Sequence, residues 1–197
     1  MQEEIYLIKK ADDVNAVFDT LKSTHWESAV VAFHEEFIRD ALIRYVAPMF
    51  SQYQVTGVEC TLVKPESIFV TIRANVSGGV SLEYTFTLES LVYEKNMHVI
   101  TFGYREKLNA TGLFGFLGGL GTLALAAGGQ SLLAKAFPGQ EMIRVDASRA
   151  SFDLDKTEGF KAISAWKYEG KSVADDLAVE SLGVNGKVFA FRLKWRS

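Results

Sequence analysis

Apolar side chains recur at two different periods along this chain, and the switches between them divide it into elements. Residues 3 to 8 (EEIYLI) read as a short strand. Asp12 and Asp13 then place acid where a helix N-terminus favours it, ahead of Val14, Val17, Phe18 and Leu21. Thr24 and Glu27 have the spacing of a capping box. Behind them Trp26, Val30, Phe33, Phe37, Ala41 and Tyr45 follow at steps of three and four, and Ala29, Ile38, Leu42, Val46 and Met49 widen the stripe. Glu35, Glu36, Arg39 and Asp40 colour the other side, so the pattern predicts one long amphipathic helix ending near Pro48.

From Tyr53 the period falls to two. Ile68, Val70, Ile72, Ala74 and Val76 alternate with Phe69, Thr71, Arg73 and Asn75; Val80, Leu82, Tyr84, Phe86 and Leu88 alternate with Ser81, Glu83, Thr85, Thr87 and Glu89. With turns at Lys64-Pro65-Glu66, Gly78-Gly79 and Glu94-Lys95-Asn96, this predicts about four antiparallel strands between residues 54 and 107, the third the longest. Beyond Phe137-Pro138-Gly139, two short strands (141–146 and 149–154) and a helix over 157–168 capped by Asp155 are expected. Asn185-Gly186 between apolar runs marks a hairpin whose two turn positions take positive φ. Its last strand presents Phe189, Phe191, Leu193 and Trp195 on one face. The fold class expected is α+β, an antiparallel meander packed with a long amphipathic helix and a Gly-rich apolar helix. It forms one domain over 1–197, with 1–107 and 108–197 as possible halves. In general shape this resembles tubular lipid-binding and helix-grip folds, an analogy of architecture that assigns no function.

The Gly-rich helix is the element that needs explaining. Between Lys107 and Lys135 lie 27 residues without a charged side chain, holding seven of the protein's 16 glycines. In water those glycines cost a helix roughly 6 kcal/mol relative to alanine, so a helix here depends on close packing or on lipid. Gly112, Gly115, Gly119, Thr122, Ala126 and Gly129 form a stripe of small side chains along which another backbone could approach. Leu113, Phe114, Phe116, Leu117 and Leu120 are the expected lipid or ligand contacts, with Lys107 and Lys135 flanking the run where basic stems meet head groups. Tyr104 and Phe137 mark its edges.

Composition bounds the rest. A chain of 197 residues with 48% hydrophobic and 23% charged residues is globular in character. A net charge of −3 without a basic stripe argues against nucleic acid. One cysteine, Cys60, permits no internal disulfide, and MQEEIYLIKKADD has no signal-peptide pattern; a cytoplasmic location, peripheral to the membrane if the uncharged run meets lipid, is expected.

Chemistry-bearing motifs are incomplete. Gly119-Leu-Gly121-Thr-Leu-Ala124 matches a dinucleotide turn but lacks the preceding strand and parallel unit. His34-Glu35-Glu36 begins like a zinc-protease helix, yet Ile38 stands where the second histidine belongs. Asp153, Asp155 and Glu158 start like a calcium loop, but Glu158 and Ser164 occupy the glycine and bidentate-Glu places. No catalytic residue, cofactor or metal is assigned. Three readings stay open: binding of a hydrophobic, lipid-like ligand or a membrane surface through 108–134; a homo-oligomer packed along the glycine stripe; and an enzyme whose sheet-lined cavity uses Tyr84, His98 and Tyr104.

Overall fold

The computed structural model describes residues 3–48, 50, 54–74, 80–110, 133, 141–146 and 148–196. The expected first strand, β1 (Glu4–Ile8), leads into helix α1 (Ala11–Ser23), whose entry is tied by Asp13 accepting the backbone N–H groups of Lys9 (2.8 Å) and Lys10 (3.0 Å). Thr24, expected to open the long helix, instead closes α1: its N–H bonds back to Thr20 O. The chain then forms strand β2 (Ser28–His34), parallel to β1.

The single long helix over 26–48 is therefore absent. Ala29, Val30, Val31 and Ala32 are buried on both faces and Phe33 is half-buried, with β1 on one side and the last strand on the other. A central strand of that kind carries a continuous apolar run, which also satisfies a helical stripe. Helix is confined to α2 (Glu35–Ala41) and a wider π-helical turn, Leu42–Val46, closed by Ala47 N–H to Leu42 O. His34 ends β2 and caps α2, its Nδ1 accepting Glu36 N–H at 3.3 Å.

The four antiparallel strands follow as expected: β3 (Val55–Val63), β4 (Ser67–Ala74), the longest β5 (Val80–Glu94), and β6 (Met97–Ala110). β7 (Ile143–Val145) and β8 (Arg149–Asp153) complete a six-stranded antiparallel sheet in the order β3-β4-β5-β6-β8-β7. Helix α3 (Glu158–Ser164) is capped by Thr157, whose Oγ1 accepts Phe160 N–H (3.2 Å), not by Asp155. A small hairpin, β9 (Lys167–Tyr168) with β10 (Lys171–Ser172), and a turn of helix, α4 (Val173–Asp176), precede β11 (Leu177–Asn185) and β12 (Val188–Trp195). A four-stranded sheet, β1-β2-β12-β11, results, so both sheets combine strands from either side of residue 107. The final hairpin forms one residue later than Asn185-Gly186 suggests. Asn185 pairs with Val188, leaving Gly186-Lys187 as the loop, with positive φ at Gly186 (60°). Among the described residues no helix is long and apolar enough to cross a membrane.

One bulge organises the large sheet. Pairing of β5 with β6 skips Glu89, between Leu88↔Phe102 and Ser90↔Thr101. Side chains alternate faces along a strand, so an extra residue restores Leu91 and Tyr93 to the face already occupied by Leu82, Tyr84, Phe86 and Leu88. Opposite them stand His98, Ile100, Phe102 and Tyr104. One end of this apolar face packs on the four-stranded sheet, α1, α3 and α4; the other lies beneath α2 and the π-helical turn.

The two sheets are stitched where the β3–β4 turn meets a second bulge in β11. Val184 N–H donates to Pro65 O (2.7 Å), Ser181 Oγ to Glu66 Oε1 (2.5 Å), and Leu88 N–H to Glu66 O (3.0 Å). Gly183 sits there with φ +75°, and a Cβ would come 2.6 Å from Pro65 O. Gly183→Ala adds a left-handed conformational cost of about 1–2 kcal/mol to a clash with backbone, for an expected loss of at least ~2 kcal/mol in denaturant unfolding. Gly186→Ala, with φ +60° but open space around it, isolates the conformational cost and should lose only about 1 kcal/mol. Equal losses would show that the Pro65 contact does not hold the sheets together.

Candidate functional site

The apolar row of β5 and β6 is wide enough to exceed what covers it near α2. Val70 and Ile72 from β4, Tyr84 and Phe86 from β5, and Phe102 from β6 form a floor. Ile38, Leu42, Tyr45 and Val46 descend from α2 and the π-helical turn, while β7 and β8 supply Ile143, Val145, Ala150 and Phe152. Between them lies a cavity of about 460 Å³. No charged side chain is among its described lining residues, and its polar side-chain groups are the hydroxyls of Tyr45 and Tyr84. Tyr45 lines the cavity yet is 64% exposed, which places it at a mouth. Aromatic rings dominate the floor: Phe86 lies 5.8 Å from Tyr84, 6.1 Å from Tyr104 and 6.5 Å from Phe102 between ring centroids.

A second apolar cavity, about 280 Å³, lies at the other end of the ladder among Val17, Val31, Tyr93, Ile100 and Phe160. None of its described lining residues is fully exposed, but most, among them Val14, Phe18, Tyr93 and Ile163, are half-buried, so it too lies partly open to the surface. The larger space differs in having a fully exposed residue, Tyr45, among its described lining.

The uncharged run is described at two places, residues 108–110 and Leu133, of which Leu133 lines the cavity. Leu108, Asn109 and Ala110, expected to begin a helix, continue strand β6 opposite Leu82, Ser81 and Val80. Leu133 is 5% exposed, lines the cavity, and donates its N–H to Glu106 Oε2 (3.3 Å). Leu113, Phe114, Phe116, Leu117, Leu120 and Lys135, with Gly112, Gly115, Gly119, Thr122, Ala126 and Gly129 of the small stripe, lie outside the described residues, as does Phe137. Lys107 is exposed on the opposite, polar face of β6, 3.5 Å from Glu83. Tyr104 is a buried core residue rather than an edge marker, its hydroxyl donating to Asp146 O (2.9 Å).

The three groups considered for catalysis are not brought together. Tyr84 and Tyr104 share the cavity cluster, whereas His98 lies six residues along β6 from Tyr104, roughly 20 Å away at strand rise. There His98 is 1% exposed, with Nδ1 2.7 Å from Asp155 Oδ1, Nε2 2.8 Å from Ala174 O, and its backbone N–H donating to Asp155 Oδ2 (3.1 Å). Tyr93 and Phe160 rings flank it at 4.5 and 4.6 Å. Asp155 is thus bound to His98 across 57 positions of chain, and both ring nitrogens are occupied by the protein. Burial pushes the Tyr93 phenol up to about 12, and the Cys60 thiol on β3 up to about 11. At neutral pH a thiol so shifted carries almost no thiolate and is a poor nucleophile. Among the described residues no three His, Cys, Asp or Glu side chains gather to hold a metal.

Sequence reasoning found the strands of the floor and both strands of the β7–β8 wall, but did not place their side chains around one cavity. The signal of that wall is only Ile143 and Val145 either side of Arg144, and Ala150 and Phe152 either side of Ser151. Comparison with known proteins finds no matching family model, no similar curated protein and no similar solved structure.

His98 acts here as a structural link between β6, the Leu154–Lys156 turn and α4. His98→Ala removes two side-chain hydrogen bonds and two ring contacts, with an expected cost of about 2–4 kcal/mol in equilibrium unfolding. A loss below ~0.5 kcal/mol would contradict that role.

Proposed function

We propose that this protein binds a hydrophobic, lipid-like molecule in the cavity between the six-stranded sheet and the π-helical turn. The observation that carries the reading is a 460 Å³ space walled by apolar side chains with an exposed tyrosine at its mouth. Protein interiors are close-packed, with few voids larger than a water molecule. Hydrocarbon entering such a space removes apolar wall from water, a gain of roughly 25 cal/mol per Å² of surface buried. Water finds few partners on such walls; apolar cavities of about 150 Å³ already take up small hydrocarbons. Small-molecule sites are typically apolar clefts of roughly 300–1,000 Å³, and this one lies within that range. The reading needs no reaction, in keeping with a wall that offers no described nucleophile, acid or base beyond two phenols.

Burying a methylene contributes about 0.8 kcal/mol, so affinity for a series of n-alkyl ligands should rise about fourfold per carbon until the cavity is full. Isothermal titration calorimetry over C6 to C16 chains reads this directly. Ala150→Phe and Val70→Phe fill the space from two sides and should weaken binding at least tenfold while leaving a cooperative unfolding transition. No dependence on chain length, or full affinity in both variants, would exclude this cavity as the site.

A further inference from the structure

The mouth of the cavity carries a second feature, which bears on what kind of hydrophobic molecule enters. A charged group cannot follow a hydrocarbon chain onto these walls without losing its hydration, so the polar end of an amphiphile must stop at the rim. The rim is built by the π-helical turn Leu42–Val46, whose widened backbone exposes three consecutive side chains, Ile43, Arg44 and Tyr45. Such turns are rare and frequently mark functional positions.

Arg44 is the cation at that rim. Its Cζ lies 6.0 Å from the centroid of the Tyr45 ring, the same ring that lines the cavity. Among the described residues Arg44 forms no ion pair, although carboxylates stand close to it in the chain. Glu36 is 3.6 Å from His34, Asp40 is 3.1 Å from Arg39, and Glu35 is 3.0 Å from Lys187. The neighbouring acids thus stand against other side chains, and Arg44 is exposed with no ion pair to a described residue. A planar fork of N–H donors suits a carboxylate, which it can meet with two parallel hydrogen bonds.

Resting on the ligand site proposed above, we infer that the ligand is an acidic amphiphile, an alkyl chain bearing a carboxylate, whose tail fills the cavity and whose head is met by Arg44. The test uses the full-length protein and three probes of equal length: dodecanoate, its methyl ester and dodecanol, each displacing a fluorescent hydrophobic dye. The acid should bind roughly three- to tenfold tighter than the ester or alcohol, the range expected for a charge pair at a partly exposed rim. Arg44→Gln should remove that preference, and Arg44→Glu should invert it, while both leave ester and alcohol binding and the unfolding midpoint unchanged. Equal binding of acid and ester by the wild type, or equal loss of both in Arg44→Gln, overturns the acidic head while leaving the hydrophobic site standing. Failure of all three probes to displace the dye overturns both.

Discussion

One extra residue, Glu89, decides what this fold can do. A slip of one position in a strand turns every following side chain to the opposite face. Without the bulge, Leu91 and Tyr93 would stand on the polar side with Glu83 and Thr85, and the apolar surface would end at Leu88. With it, the surface runs from Leu82 to Tyr93 on β5 and from His98 to Tyr104 on β6. That length exceeds what one cover can bury, and the two ends are finished differently.

At one end the cover is built from both a sheet and helices. The four-stranded sheet, α1, α3 and α4 close over the strands, and all three tryptophans of the chain gather nearby with Tyr168: Trp26–Trp195 centroids are 4.9 Å apart, Tyr168–Trp195 5.4 Å and Trp166–Tyr168 6.2 Å. The His98–Asp155 link fastens the loop before α3 to the same place. At the other end the described cover is a seven-residue helix, one π-helical turn and Leu133, beside the β7–β8 wall. Both ends keep an apolar space, about 280 Å³ under the larger cover and about 460 Å³ under the smaller, and the second has a fully exposed residue among its described lining. Pro65 and Gly183 keep the two ends in register by joining the β3–β4 turn to β11.

Much of this was legible before any coordinates. The strands β3 to β6 show in their alternation, α1 in its acidic start, and the last hairpin in its glycine, though one residue displaced. The failure over 28–34 has a physical cause: a strand paired on both sides and buried on both faces has no polar alternation to reveal it, and its apolar run merges with the helical stripe of α2. The cap at Thr157 was misassigned to Asp155 because a carboxylate before a helix looks like a cap locally, while its partner, His98, is distant in sequence. The cavity itself was anticipated only as a possibility of architecture. Its wall comes from residues such as Ala150 and Phe152, whose strand is five residues long, and its rim cation from a turn whose π geometry leaves no mark on hydrophobic periodicity. Of the uncharged run, Leu133 lines the cavity, while the contacts expected over 113–120 and at Lys135 lie outside the described residues.

Locating a bound chain is the most direct test of the account. Crystals grown with a terminally brominated alkyl carboxylate, measured at the bromine absorption edge, would place the heavy atom without reference to any assumed pose. The account requires anomalous density between Val70, Tyr84, Phe86 and Phe152, with the carboxylate end toward the Leu42–Val46 turn. Density confined to the second cavity around Val17 and Phe160, or to the outer surface, would contradict it.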